Sequence, residues 1–127
     1  MIAALKARLA AVRGQDAERE AERYLLSRGL RTLERNWRCP RGELDLVMQD
    51  GDTLVVVEVR QRGHAGYGGA AGSVDRRKQR RIAAATLAWL QRHPRQAEAP
   101  LRFDVLAYEA DGRREWLQAA FSMDDFA

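Results

Sequence analysis

The sequence predicts a single α/β domain in which helices cover both faces of a mixed β-sheet, in the order α-β-β-β-α-β-β. Two apolar segments flank the Gly51-Asp52 pair, a combination typical of a β-hairpin with a tight two-residue turn. A long helical segment at 73–92 then separates the second hairpin strand from an apolar segment at 101–109. Such a connection favours parallel pairing with a right-handed crossover, which makes the sheet mixed.

Two helical segments are expected ahead of the sheet. We assign residues 1–13, which are rich in alanine, to an N-terminal helical extension and residues 14–127 to a single domain, because Gly14 interrupts the helical pattern. The second helix is predicted from about 16 to 28, with Gly29 as its C-terminal stop. Its core-facing stripe consists of Ala17, Ala21, Tyr24 and Leu25.

The hairpin turn fixes the register of the two central strands, which follow a first strand at about 30–37. With the Gly-Asp pair as the loop, counting outward places Asp45 opposite Glu58 and Glu43 opposite Arg60. Because side chains alternate along a strand, these four polar residues are expected on one face of the sheet. The opposite face is predicted to carry Leu44, Leu46, Val55, Val57 and Val59.

The opposed carboxylates of Asp45 and Glu58 require a cation, since like charges on directly opposed strand residues destabilise a sheet. Hard oxygen ligands at the edge of a covered sheet suit Mg²⁺ or Mn²⁺. Mg²⁺ commonly takes one or two protein carboxylates and leaves its other positions to water and phosphate oxygens. Alternatively, Arg60 or another cationic side chain neutralises the two carboxylates in a purely structural network.

A glycine-rich segment at 63–72 leaves the strand that carries Glu58 and Arg60. It matches no phosphate-binding motif of the dinucleotide or P-loop kind, and a mobile lid is the favoured interpretation. The long helix that follows is expected to have Ser73 as its N-cap and to end at about Arg92.

The start of this helix is strongly basic. Lys78 lies one turn before Ile82 on the apolar stripe, so its side chain is expected to point toward the sheet. Arginines occupy the remaining faces; they are either a solvated surface or, given the nearby carboxylates, a phosphate-binding surface. The predicted nucleic-acid-binding residues are Arg60, Arg62, Arg76, Arg77, Lys78, Arg80 and Arg81, with Tyr67 as a residue that could stack on a base.

Two further strands are expected at 101–109 and at about 115–120. Asp104, in the first of them, could be another functional carboxylate, but a buried ion pair with an arginine is the favoured interpretation.

Composition favours a polyanionic partner. The chain of 127 residues has a net charge of +4, chiefly through arginine, and Cys39 is its sole cysteine, which excludes an intramolecular disulfide and fits a reducing cytoplasm. The N-terminal segment lacks the uninterrupted apolar core of a secretory signal, and no stretch is long enough to span a bilayer. We therefore expect a cytoplasmic protein without a membrane partner.

The order of elements and the spacing of acidic residues resemble the restriction-endonuclease-like core, in which an acidic residue is followed by D/E-x-K on the next strand. The closer resemblance is to the YraN family of small bacterial proteins, which look related to archaeal Holliday junction resolvases. This resemblance covers nearly the whole chain from Gly14 to Tyr108. It rests on the segments GQDAEREAERYLLSRGL, LERNWR, GELDLVMQDGDTLVVVEVRQR, GSVDRRKQRRIAAATLAWL and RFDVLAY.

The resemblance implies a metal site. It makes Asp45 and Glu58 the metal-binding carboxylates and adds Glu18, which position alone would mark as an ordinary solvated helix charge. It also implies that the carbonyl of Val59 ligates the metal.

Arg60 departs from the nuclease motif, which has lysine at this position. Arginine remains charged and has no acceptor, so it cannot act as a base, but it can bind the scissile phosphate and stabilise its developing charge. Lys78 is the candidate for replacing the missing ammonium group.

Three functions are open on the sequence alone. The first is a metal-dependent, structure-selective DNA endonuclease, resembling the Holliday junction resolvases and acting as a homodimer on branched or single-stranded DNA. Its catalytic residues would be Asp45, Glu58, Arg60, Glu18 and Lys78. The second is a nucleic-acid-binding module with weak or no catalysis, which the arginine at the lysine position favours. The third is an accessory or assembly protein in DNA processing.

Overall fold

A computed structural model describes residues 2–61 and 69–126, with residues 2–14 and Ala71 described by their backbone only. The predicted order α-β-β-β-α-β-β is confirmed, with one additional four-residue helix before the long crossover helix. The elements are α1 (Ile2–Ser27), β1 (Arg31–Cys39), β2 (Gly42–Asp50), β3 (Thr53–Gln61), α2 (Gly69–Gly72), α3 (Arg76–Arg92), β4 (Leu101–Tyr108) and β5 (Arg114–Phe121). Short 3-10 helices at Pro94–Gln96 and Met123–Phe126 precede β4 and follow β5.

The five strands form one mixed sheet in the order β1-β2-β3-β4-β5. β3 and β4 are parallel, with Leu54 beside Leu101 and Gln61 beside Tyr108, whereas the other neighbouring strands are antiparallel. α3 lies in the connection between the two parallel strands, because parallel neighbours need a long crossover. The sheet therefore has β1 and β5 at its edges.

Helices cover both faces of the sheet, and each face has its own core. α1 contributes Ala21 and Leu25 to the first core, while α3 contributes Ile82 and Trp89 to the second. The valines of β3 alternate between the two cores, so the central strands are buried on both sides. Charged residues at the ends of these strands are consequently held between two packed layers.

α1 is one continuous helix, so the helix break predicted at Gly14 is wrong. A single glycine costs a helix only about 1 kcal/mol relative to alanine, and the surrounding Ala, Leu, Arg and Glu residues favour the helix. The helix ends as predicted at Gly29, whose φ of 94° follows hydrogen bonds from Gly29 N–H to Leu26 and from Leu30 N–H to Leu25. No helix in the described ranges combines the length and apolarity needed to cross a lipid bilayer.

The start of α3 differs from the prediction. Its N-cap is Asp75, whose side chain accepts a hydrogen bond from the Lys78 N–H at 2.8 Å. Ser73, the predicted cap, instead donates to the carbonyl of Ala70 at 2.6 Å and thereby closes α2. The expected glycine-rich loop is thus helical over its last four residues, and residues 62–68 lie outside the described ranges.

The hairpin register is confirmed from Asp50 to Leu46, because each of these β2 residues faces its predicted β3 partner. The pairing of β2 with β3 stops there, before the predicted pairs Asp45–Glu58 and Glu43–Arg60. The predicted faces are wrong at the start of β2. Leu44 packs in the α3 core together with Val47, whereas it was expected to share the α1 face with Leu46. The alternation of side chains therefore changes phase at the one residue between Leu44 and Leu46.

Asn36 of β1 accounts for this change of phase. Its φ of 49° is left-handed, a conformation that interrupts strand alternation and that asparagine tolerates better than most residues. Asn36 lies between the two β1 residues that pair with Leu44 and Leu46, so both strands change phase at the same level. As a result, Asn36 and Asp45 both face α1.

Candidate active site

Asp45 stands where β2 and β3 separate. The backbone pairing of the hairpin reaches Leu46, and at the next residue the Asp45 carboxylate Oδ2 accepts the backbone N–H of Val59 at 2.9 Å. A side chain thus satisfies a strand N–H that would otherwise pair with a backbone carbonyl. Only 8% of Asp45 and 5% of Glu58 is exposed, so both carboxyl groups are buried at this gap.

The predicted placement of Asp45 and Glu58 on a common face is wrong. Asp45 lines a cavity beneath α1, whereas Glu58 faces Lys78 of α3. The two carboxyl groups nevertheless hydrogen-bond to each other in the gap between the strands. Asp45 therefore bridges the two sides of the sheet.

Glu18 approaches the same carboxylate from α1. Its side chain is half-buried, hydrogen-bonds to Asp45 and lies beside Asn36 in the same cavity. Glu18, Asp45 and Glu58 consequently form a chain of three carboxyl groups, one each from α1, β2 and β3, with Asp45 in the middle.

An anchor one turn further along α1 fixes this arrangement. Glu22 accepts hydrogen bonds from Thr32 Oγ1 at 2.5 Å and from Arg35 Nε at 2.8 Å. Charge-assisted hydrogen bonds of this kind are stronger than neutral ones. They attach α1 to β1 and so hold Glu18 beside Asp45.

Two of the three carboxyl groups have raised pKa values. Burial, followed by the neighbouring Asp45 carboxylate, raises the pKa of Glu58 to about 8, although Lys78 and Arg60 oppose the rise. Burial and Asp45 also raise the pKa of Glu18 to about 7. A hydrogen bond between two carboxyl groups needs a proton on one of them, so the cluster holds protons at neutral pH that a cation could replace.

Two cationic side chains lie beside Glu58. Lys78 points toward the sheet, as its place on the apolar stripe predicts, and its Nζ lies 3.6 Å from Glu58 Oε1. Arg60 follows two residues after Glu58 on β3. Within the described part of the chain, Arg60 forms no ion pair with Asp45 or Glu58, and its buried Nε has no hydrogen-bond partner. Arg60 therefore does not close a structural network with the two carboxylates, whereas another cation, Lys78, forms an ion pair with Glu58.

Cavities reach the cluster from both sides of the sheet. One of about 280 Å³ lies under α1 and is lined by Glu18, Asn36 and Asp45. Another, of about 520 Å³, lies at the start of α3. Its lining consists of Arg60, Ser73, Asp75, Arg77, Lys78 and Arg81. Glu18 and Asp45 thus line a cavity on one side, and the cations that flank Glu58 line a cavity on the other.

The donor set fits a hard divalent cation, because carboxylate and carbonyl oxygens are the ligands that Mg²⁺ prefers. The N–H and C=O of a strand residue point toward the same neighbour, so the Val59 carbonyl is directed to the gap where its N–H meets Asp45. Among residues 15–61 and 69–126, no three His, Cys, Asp or Glu side chains are already grouped as metal ligands. Coordination of one ion by all three carboxylates therefore requires Glu18 or Glu58 to change its side-chain conformation.

The predicted basic residues of α3 separate into two groups. Arg77, Lys78 and Arg81 line the larger cavity together with Arg60. Arg80 is exposed and does not line that cavity, because its position on the helix turns it away from the sheet.

Arg76 is held by the C-terminal segment. Its guanidinium donates to the backbone carbonyl of Asp125 at 3.0 Å and lies 5.1 Å from the centre of the Phe126 ring. The remaining two predicted nucleic-acid-binding residues, Arg62 and Tyr67, lie outside the described ranges.

Asp104 is part of a buried ion pair, as the sequence favoured. It accepts hydrogen bonds from Arg102 Nε at 3.1 Å, Trp116 Nε1 at 2.9 Å and the Ala119 N–H at 3.0 Å. These contacts fix β4 against β5 and occupy the carboxylate.

Asn36 was not among the predicted site residues, although it contacts Glu18 and lines the α1 cavity. The available signal was an asparagine inside a strand-like segment, RTLERNWRC, because asparagine is enriched at left-handed positions. Recognising what it positions required the three-dimensional partner, Glu18, which is 18 positions earlier in the sequence.

Comparison with known proteins identifies the family. The model described as "Uncharacterised protein family UPF0102" matches residues 17–108. A UPF0102 protein of Pseudomonas entomophila (strain L48) is 54% identical over 112 residues, which cover 85% of this chain and 91% of the relative. UPF0102 proteins of Halorhodospira halophila and Alcanivorax borkumensis are 54% and 47% identical, covering 86% and 85% of this chain and 86% and 90% of the relatives. The resemblance to the YraN family is thereby confirmed, and the chain belongs to this family, UPF0102.

Proposed function

We propose that this protein is a metal-dependent endonuclease that hydrolyses phosphodiester bonds in branched or single-stranded DNA and acts as a homodimer. The observation that carries the proposal is the convergence of Glu18, Asp45 and Glu58 at one gap in the sheet, beside a cavity that Glu18 and Asp45 line. Lys78 and Arg60 border the same gap. Acidic groups that can hold a cation, next to basic groups that can hold a phosphate, are what phosphodiester hydrolysis requires.

Each residue has a distinct role in this proposal. Mg²⁺ or Mn²⁺, held by Asp45 with Glu58, Glu18 and the Val59 carbonyl, would lower the pKa of a water molecule and polarise the phosphoryl group. Arg60 lines the larger cavity, where its guanidinium group can donate hydrogen bonds to a phosphate oxygen.

Positioning and charge compensation come from residues around the carboxylates. Lys78 supplies a positive charge close to Glu58. The lysine of the nuclease motif is replaced by arginine at position 60. Asn36 does not touch the reacting atoms; it lies beside Glu18 in the cavity under α1 and has a positioning role.

A nucleic-acid-binding module with weak catalysis is the second candidate. Two observations favour it: arginine occupies the usual lysine position, and the carboxylates of the described residues are not already grouped as metal ligands. In this case the basic surface would bind nucleic acid without efficient hydrolysis.

One assay separates these candidates. Branched, single-stranded and linear duplex DNA are incubated with the wild-type protein in Mg²⁺, Mn²⁺ or EDTA. The endonuclease predicts metal-dependent cleavage of branched or single-stranded DNA, with paired incisions on a junction if two copies act together. Salt-sensitive binding without cleavage in either metal would contradict the endonuclease and support the module.

Replacing Lys78 tests its role in the same assay. Lys78→Met keeps the length of the side chain but removes its charge. We expect kcat to fall about 10²-fold, a larger effect than the roughly 3- to 10-fold loss of DNA affinity that accompanies loss of one phosphate contact. Arg80→Met removes a charge from the exposed side of the same helix and serves as the control. Equal rates in the two variants would exclude Lys78 from catalysis.

A further inference from the structure

A basic cavity lies beyond the carboxylates, at the turn between β1 and β2. Its volume is about 340 Å³, and its lining includes Arg38, Arg41, Gly42, Lys78 and Arg81. Two of the cations come from the β1–β2 hairpin: Arg38 lies near the end of β1 and Arg41 lies in the turn that follows. The other two come from the first two turns of α3. Four cations from two elements thus surround one concave surface.

The charges in this cavity are not balanced. Glu43 is the one carboxylate in its lining, and it is paired with Arg38 at 3.3 Å. The Arg38 side chain is 80% exposed, so this ion pair holds it only weakly. Within the described ranges neither Arg41 nor Arg81 has an ion-pair partner. An anionic group in the cavity would satisfy them, and arginine guanidinium groups match phosphate oxygens in geometry.

Gly42 brings the two halves of the cavity together. A Cβ atom at this position would lie 3.0 Å from the backbone carbonyl oxygen of Arg81. The turn therefore packs directly against the backbone of α3, which no residue with a side chain allows without displacement. This close approach keeps Arg41 and Arg81 at the same cavity.

The cavity adjoins the proposed active site. Lys78 and Arg81 line both this cavity and the larger one that contains Arg60. Lys78 also lies 3.6 Å from Glu58 Oε1. A path of positive charge thus leads from the carboxylates to the β1–β2 turn.

We propose that the cavity formed by Arg38, Arg41, Gly42, Lys78 and Arg81 binds a second backbone phosphate of the nucleic-acid strand, next to the phosphate at the carboxylates. The inference rests on the proposed nucleic-acid substrate but not on its hydrolysis. It assigns a binding role to Arg38 and Arg41, which no sequence motif indicated. It also sets the direction of the bound strand, from the gap between β2 and β3 toward the β1–β2 turn.

Binding of a single-stranded oligonucleotide in EDTA, measured over a range of salt concentrations, tests this pocket without cleavage. Arg41→Gln should weaken binding about 3- to 10-fold at low salt and reduce the slope of log K against log salt by about one phosphate contact. Arg28→Gln is the matched control, because Arg28 is an exposed arginine at the opposite end of β1. Equal effects of the two substitutions would overturn the proposal, as would the absence of binding by the wild-type protein.

Neutralising single phosphates on the DNA locates the contact. Each oligonucleotide of the series carries one methylphosphonate, at a different position. At one position this neutral group should lower the affinity of the wild-type protein but should not further lower the affinity of Arg41→Gln. Independent effects of the two changes at every position would overturn the pocket. The phosphate pocket and the hydrolytic function can be contradicted separately. If Arg41→Gln cleaves DNA as fast as the wild type and no methylphosphonate position is coupled to this substitution, only the proposed pocket is contradicted. If Arg41→Gln and one methylphosphonate position are coupled in binding but the protein cleaves no DNA in any metal, only the proposed hydrolytic function is contradicted.

Discussion

At about pH 8.5, Glu58→Gln should be more stable to unfolding than the wild-type protein, by up to about 4 kcal/mol. Burial and the adjacent Asp45 carboxylate raise the pKa of Glu58 from 4.5 to about 8. Ionising this group in the folded protein therefore costs free energy that the unfolded chain does not incur. Glutamine has nearly the same shape and remains neutral, so it avoids this cost.

The sign of the pH dependence follows from the raised pKa. The contribution of Glu58 to stability is complete below its unfolded pKa of 4.5 and is lost as pH rises through about 8. Denaturant unfolding between about pH 5 and 8.5 should therefore show little difference between the proteins at the acidic end and an increasing advantage of Glu58→Gln toward the alkaline end. Glu98→Gln, at an exposed position, is the control. Parallel stability curves for wild type and Glu58→Gln would contradict the buried, protonated carboxyl group.

Asp45→Asn should reduce metal-dependent cleavage by about 10³-fold or more, because it removes the central negative ligand of the cluster. Asparagine keeps a carbonyl oxygen that can accept the Val59 N–H, so the backbone at the gap should remain intact. Alanine would leave that N–H unsatisfied and lower stability by about 1–3 kcal/mol, which would confuse loss of folding with loss of chemistry.

The comparison is single-turnover cleavage by wild type, Asp45→Asn and Asp52→Asn. Asp52 lies in the exposed hairpin turn, so its substitution makes the same charge change away from the cluster. DNA binding should survive in both variants, since the basic residues are unchanged. If Asp45→Asn cleaves as fast as Asp52→Asn, the carboxylate cluster is not where hydrolysis occurs.

The sequence was sufficient for the elements whose signals are local. The Gly51-Asp52 turn fixed the hairpin register, and the long helix before 101–109 required a parallel strand pair. Apolar periodicity likewise predicted that Lys78 points toward the sheet.

The wrong predictions concern backbone conformations and hydrogen bonds that the sequence pattern does not specify. Alternation assumes that each strand keeps its β conformation, and the left-handed φ of Asn36 breaks that assumption beside Asp45. The low helix propensity of Gly14 predicts the end of a helix, but the strongly helical residues on both sides outweigh this single glycine. Asp75 and Ser73 are both good caps, and the hydrogen bond that distinguishes them is visible only in three dimensions.

Glu18 illustrates a different limit. Its helical position gave no reason to separate it from ordinary surface charges, and only the family resemblance assigned it to the site. The structure provides the physical reason for its place, because the Glu22 anchor and Asn36 hold it against Asp45.

Calorimetric titration of the protein with Mn²⁺ or Mg²⁺ at about pH 7.5 tests most directly whether the three carboxylates form one metal site. Wild type should bind the ion and release about one proton, judged from buffers that differ in ionisation enthalpy, since the cation replaces protons on Glu58 and Glu18. Asp45→Asn should lose most of that binding and its proton release while remaining folded. Metal binding that is absent in wild type, or unchanged in Asp45→Asn, would contradict the metal site and with it the proposed hydrolysis.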